Sequence, residues 1–326
     1  LHDSSSFDFA VNSYPAIPDT DVMLLNNLLR LMADFPDSAH YAVLARLLKS
    51  HPPAGNLSFT LEYKLGRERE FMRPFLSGLL PLLDDSLIRS SMISLAAEGI
   101  DSGALAGSAL APYRAMLLKF AESRLRQFSD TVASTVFDKD LVRLLGQFND
   151  PRSNVLLQRF LGIKDNYLRK YALESLLRNK QEPAAAGVRA LAADRSYRLD
   201  AYRDLKKYGR VALFPADYRT PKAIGAALVR EELDEEDDEA VDSIVFVTSL
   251  IRDIGDGPQR FYFYRVSGSG EGEESFMACA GPFKTAPPLT AGWYNDDGKA
   301  FVLYDKQYDP GQQEEQIEEL LAKFKE

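Results

Sequence analysis

Apolar residues between Asp21 and about Arg230 recur at spacings of three and four, broken at short intervals by turn residues, which predicts a run of short amphipathic helices. Asp21 stands where a helix N-cap is needed, and Leu24, Leu25, Leu28, Leu29 and Met32 follow on one face. Phe35-Pro36-Asp37-Ser38 ends that segment and opens another, carrying Tyr41, Leu44, Leu47 and Leu48. His51-Pro52-Pro53-Ala54-Gly55 is a second break. Further helices are expected over 59–72, 74–83, 86–98 and 111–128, the last preceded by a Gly/Ser/Ala-rich stretch at 99–108.

Beyond position 242 the period changes from helical to alternating. Residues 243–251 are β-branched and apolar, and Arg260–Val266 places Phe261 and Phe263 on one face, Tyr262 and Tyr264 on the other. A third strand is expected at 275–280, and Asp297-Gly298 reads as a hairpin turn into a strand at 300–304. Asp309-Pro310 can open a last helix lined by Ile317, Leu320, Leu321 and Phe324. The fold class is therefore an α-helical domain followed by a small antiparallel sheet of four or five strands with a C-terminal helix. The expected boundaries are a tail at 1–20, the helical domain at 21–230, an acidic linker at 231–242 and an α+β domain at 243–326.

One pattern recurs inside the helical half. Counting from Asp165 and from Asp194, 29 positions apart, Arg falls at the fourth position on, Ala at the seventh and Leu at the eleventh. Asp85, with Arg89, Met92 and Ala96, is a degraded copy. Asp suits a helix N-terminus, the small and large apolar residues four apart share a face, and Arg can reach the preceding turn or a neighbouring Asp. Over about 138–210 these residues resemble HEAT/armadillo-type α-helical repeats, although the period is shorter than the ~40–47 residues of that class. The resemblance implies an α-solenoid binding scaffold of stacked helices and carries over no catalytic residue. The strand cadence and closing helix are similar, more faintly, to tail regions of large TraB/GumN-type bacterial proteins, but the motifs of that family's enzymatic module are not here.

Charge divides the chain further. The net charge is −9 overall, but residues 139–225 sum to +9 and residues 226–326 to −14. Eight carboxylates stand in the nine positions 231–239, with no glycine among them to wrap a calcium loop, so a solvated linker is the expectation. A further possibility is that this tract lies against the basic face of 139–225, a contact that salt would weaken. The basic side chains Arg169, Arg198, Arg203, Lys206 and Lys207 form the candidate protein-binding surface, and Tyr262, Tyr264, Trp293 and Tyr294 a candidate aromatic patch.

Enzymatic chemistry has little material. The three histidines all lie in the first 51 residues, and His40 and His51 border turns with no sequence partners. The single cysteine, Cys279, lies between alanines and reads as a buried apolar residue; it excludes an internal disulfide framework or a multi-cysteine metal site. No catalytic residue, metal or cofactor is assigned. The acidity argues against nucleic acid, and no apolar run approaches the ~18–20 residues of a membrane span. Leu1 at the start, a Ser-rich opening and one cysteine fit an extracytoplasmic origin or a boundary inside a longer polypeptide, and Asn56-Leu57-Ser58 is an acceptor pattern for N-glycosylation. The expected function is a non-enzymatic protein-binding scaffold. The alternatives are an accessory region of a larger enzyme and a small-ligand-binding α+β domain.

Overall fold

The computed structural model describes residues 4–18, 20–35, 38–51, 73, 76–86, 88–128, 134–236, 241–255, 257–268, 275–285 and 294–325. The helix expected over 59–72, the Asn56 acceptor and Trp293 lie outside these residues. Helices and then a four-stranded antiparallel sheet with a closing helix make up the described chain. It divides into two compact units, Leu1–Glu182 and Pro183–Glu326.

The first unit is helical: α1 (Ser4–Ser13), α2 (Val22–Ala33), α3 (Ser38–Ser50), α4 (Arg89–Asp101), α5 (Arg114–Gln127), α6 (Val136–Leu145), α7 (Pro151–Gly162) and α8 (Asn166–Arg178), with 3-10 turns at Leu80–Asp84 and Gly107–Tyr113. Helix α1 corrects the expected tail at 1–20. Phe7, Ala10 and Tyr14 fall three and four apart and are buried, and the Phe7 ring packs edge-on to Phe35 and His40 at 5.2 and 4.2 Å between centroids. Burial of two aromatic rings outweighs the Ser-rich composition, and Pro15 lies in the 3-10 turn that follows the helix. Capping follows the sequence: Asp21 Oδ1 accepts from the Leu24 amide, Asp165 Oδ1 from Leu168, and Asp150 from Arg152 and Ser153.

The second unit comprises α9 (Ala185–Ala193), α10 (Arg198–Lys207), α11 (Pro221–Glu236), strands β1 (Val241–Asp253), β2 (Pro258–Gly268), β3 (Ser275–Lys284) and β4 (Tyr294–Gln307), and α12 (Gln313–Lys323). The strands pair in sequence order as a meander. Phe261, Phe263, Met277, Cys279 and Leu303 pack with Ile317, Leu320 and Leu321 of α12 on one face, which is the alternation the sequence predicts. The opposite face receives α11: the Tyr264 hydroxyl donates to the Lys222 carbonyl at 2.7 Å. Gly225 makes that approach possible, because a Cβ there would stand 2.4 Å from the Tyr264 hydroxyl. The sheet is thus a layer between two helices.

Two expected boundaries change. The linker at 231–242 is not a linker over its described part: α11 continues through Glu236, and β1 begins at Val241, while 237–240 lie outside the described residues. Leu228 and Leu233 are buried, and that burial holds the helix together against mutual repulsion of its last carboxylates. Nor does the helical half end as a unit at residue 230, since α9, α10 and α11 belong to the unit that contains the sheet. Asp297-Gly298 forms no hairpin either: it lies inside β4, where residues 295–298 stand opposite the single Pro282 in an irregular register.

Candidate functional site

The recurring Asp–Arg pattern has a definite physical role at two of its three copies. Arg198 Nε donates to the Ala192 carbonyl at 2.7 Å and Nη2 to the Ala193 carbonyl at 3.3 Å, so the guanidinium closes the C-terminal end of α9. Arg89 does the same for the preceding 3-10 turn, through the Leu83 and Asp84 carbonyls at 2.9 and 2.8 Å. In both cases the acceptors stand two and one positions before the Asp. This is the "preceding turn" alternative, and free carbonyls at a helix end are natural acceptors for a cation. At the third copy, Arg169 instead donates Nη1 to Asn166 Oδ1 at 2.6 Å, and its buried Nε makes no hydrogen bond. The apolar positions of all three copies are buried: Ala172, Leu176, Ala201, Leu205, Met92 and Ala96.

That role removes Arg198 from the candidate binding surface. It is buried, donates a further hydrogen bond to the Ala223 carbonyl at 3.3 Å, and stacks over Tyr218 at 5.0 Å; burial lowers its pKa. Arg169 belongs to the first unit and the other four cations to the second. Arg203, Lys206 and Lys207, one helical stretch apart on α10, do come together.

These three cations border a cleft of about 490 Å³ within the second unit. Leu199 and Tyr202 of α10, Ile224 and Leu228 of α11, and Phe283 of β3 give it an apolar lining, with Asp204 and Gly298 completing it. Two smaller depressions, about 220 and 180 Å³, adjoin it: the first shares Leu199, the second Leu228 and Gly298, and both reach Glu231. The result is a groove that follows α11, apolar below and basic along one side. Arg203 of α10 pairs with Glu231 of α11, the first carboxylate of the acidic tract, donating through Nη1 and Nη2, the latter at 3.0 Å. Of the expected contact between the tract and the basic face, this pair joins one carboxylate, Glu231, to one cation. Leu199, Ile224, Leu228 and Phe283 were not singled out in the sequence, because an apolar residue on a helix or strand carries the same signal whether it faces a core or a groove.

The aromatic patch resolves into packing. Tyr264 is buried under α11, and its pKa is raised by burial. Tyr262 is half-buried, with its ring 5.4 Å from Phe283 and 6.3 Å from Phe246; burial raises its pKa too. Tyr294 pairs in register with Phe283, and its side chain lies outside the described residues. Cys279 is buried with a raised pKa, the state of an unreactive thiol.

The first unit holds charges of another kind. Asp138 is fully buried and accepts from Arg124 Nε and Nη2, both at 2.8 Å, and from the Thr135 amide and hydroxyl. Asp140, also buried, accepts from Arg143 Nη1 at 3.1 Å, and Arg143 reaches on to Glu98 at 3.3 Å. Burial raises the Asp140 carboxyl to about 6.

Among the described residues no group of three His, Cys, Asp or Glu side chains is placed to hold a metal, and no helix is long and apolar enough to cross a membrane. No family model matches the chain, and neither a curated protein nor a solved structure is found to match it.

Proposed function

We propose that the chain is a non-enzymatic protein-binding scaffold, its helices stacked in the manner of a HEAT-like α-solenoid, with a partner protein docking in the groove along α11. Two features support the stacked-helix reading. The Arg at the fourth position after Asp clamps the end of the preceding element at both Arg89 and Arg198, and the small and large apolar positions of each copy are buried. Such a clamp sets the angle between consecutive helices, which is what a repeat unit must reproduce. The observation that carries the docking reading is the groove itself: an apolar lining bordered by Arg203, Lys206 and Lys207. Protein-binding patches commonly combine an apolar centre with a polar, charged rim.

A photo-crosslinking residue in place of Lys207 tests this in the cell of origin. It is expected to give a discrete protein adduct that the same residue at Glu318, on the exposed side of α12, does not give. Equal adducts from both positions, or none from Lys207, would remove the groove as a docking site. The small-ligand reading draws on the same groove, through Phe283 and Gly298 of the sheet. A thermal-shift screen separates it, since a metabolite would raise the melting temperature in proportion to the logarithm of its concentration, with no partner protein present.

A further inference from the structure

The Arg203–Glu231 pair links the main cleft, which Arg203 lines, to the adjoining depressions, which Glu231 lines. Its geometry is that of a two-pronged guanidinium–carboxylate contact, the arrangement by which Arg recognises a carboxylate on any chain. Both side chains are substantially exposed, at 45% and 40%. An exposed pair of this kind contributes little to stability and exchanges readily. The groove thus already holds a carboxylate, supplied from within.

We propose that Glu231 is an internal stand-in for the carboxylate of an acidic, apolar-bearing protein segment, which displaces it from Arg203 on docking. The proposal rests on the docking reading above and adds the chemistry of the partner. Three observations converge on that chemistry. Arg203, Lys206 and Lys207 against the single Asp204 leave the main cleft with excess positive charge. Leu199, Ile224, Leu228 and Phe283, each only 2–7% exposed, form the floor of the cleft, against which apolar side chains of a partner can rest. The two adjoining depressions extend the site along α11, a shape that suits a length of chain better than a compact small molecule.

The consequence is competition. While Glu231 holds Arg203, an incoming carboxylate meets a cation that is already neutralised, so affinity is lowered by the fraction of time the pair is closed. Removing the carboxylate removes that handicap.

The test uses the full chain and a fluorescein-labelled peptide in which glutamates alternate with leucine and phenylalanine, read by fluorescence anisotropy. Glu231→Gln is expected to bind this probe about two- to fivefold more tightly than the wild type, the range an exposed ion pair allows. A general loss of negative charge would also tighten binding, so the comparison is repeated on an Arg203→Gln background, where Glu231→Gln is expected to add nothing. Lys206→Glu with Lys207→Glu is expected to weaken the probe tenfold or more, with melting temperature unchanged. The same gain from Glu231→Gln on both backgrounds, or none on either while the probe still binds, would overturn the internal competition and leave the docking reading standing. A probe that binds none of these proteins would overturn both. Displacement of the probe by octanoate as effective as by unlabelled peptide would overturn a protein segment as the occupant.

Discussion

Two sets of ion pairs, one in each unit, use charge in opposite ways. In the first, Arg124 and Arg143 are drawn into Asp138 and Asp140, whose carboxylates are almost wholly out of water. In the second, Arg203 meets a carboxylate at the surface of a groove, while Lys206 and Lys207 border it. A buried pair, once made, is costly to break because the surviving charge is stranded; an exposed pair is cheap to open because water takes over each half. Charge at Asp138 and Asp140 therefore holds elements in place, as the buried Arg198 does in the second unit, while charge at Arg203 is left available for exchange. The same residue types have different consequences because their solvent differs.

Removing one buried partner should have the largest effect. Asp138→Ala strands the Arg124 guanidinium and leaves the Thr135 amide and hydroxyl without their acceptor at the start of α6. A loss of about 3–5 kcal/mol is expected, measured by urea unfolding at neutral pH. By contrast, Lys207→Glu should change stability by less than about 0.5 kcal/mol, as surface substitutions do. A Asp138→Ala variant as stable as Lys207→Glu would erase the distinction between the two units.

A packing probe comes next in size and acts inside the second unit. Gly225→Ala pushes a methyl group against the Tyr264 hydroxyl, which is fixed by its hydrogen bond to Lys222. The expected cost is about 2 kcal/mol, typical of overpacking a filled interior. Tyr264→Phe in the same chain opens the space and should recover part of that cost, although alone it gives up a buried hydrogen bond of about 1 kcal/mol. Additive losses in the double variant would show that α11 does not seat on the sheet through this contact.

How far the sequence made this legible depends on whether a residue's neighbours are local. Helix periods, the Asp caps at 21 and 165, and the inward faces of Phe261 and Phe263 are short-range signals, and each is found in the fold. The role of Arg198 was half legible: the fourth position after Asp allows two acceptors, and only the fold selects the carbonyls of α9. Its burial could not be read, because Tyr218 and Ala223 come from 20 or more positions further on. The acidic tract misled for a related reason. Eight carboxylates argue for a solvated segment, but Leu233 sits four positions on from the buried Val229, on the same face, and anchors the helix on its apolar side. The groove was the least visible feature, since its lining is assembled from two helices and a strand far apart in sequence.

The smallest expected effect sharpens the contrast through pH. Asp140 is buried among charges from two helices: Glu98 of α4, and Lys139 and Arg143 of its own α6. Burial is the main cause of its raised pKa, and the negative Glu98 adds to it, while Lys139 and the Ser94 hydroxyl act the other way. The folded protein thus holds this proton more tightly than the unfolded chain, whose carboxyl titrates at about 3.8. The contribution of Asp140 to stability is fullest below that value, falls as pH rises towards about 6, and is constant above it. Carboxylates with lowered pKa, such as Asp150, act in the opposite direction and below that window, so the wild-type curve alone is ambiguous. The informative quantity is the difference between wild type and Asp140→Asn, which cannot titrate. It should decline steadily as pH rises from 4 to 6, measured as urea midpoints across that range. Parallel curves would mean that Arg143 and Lys139 fully offset the burial of Asp140, and that the interior of the helical unit treats its acids no differently from the surface of the groove.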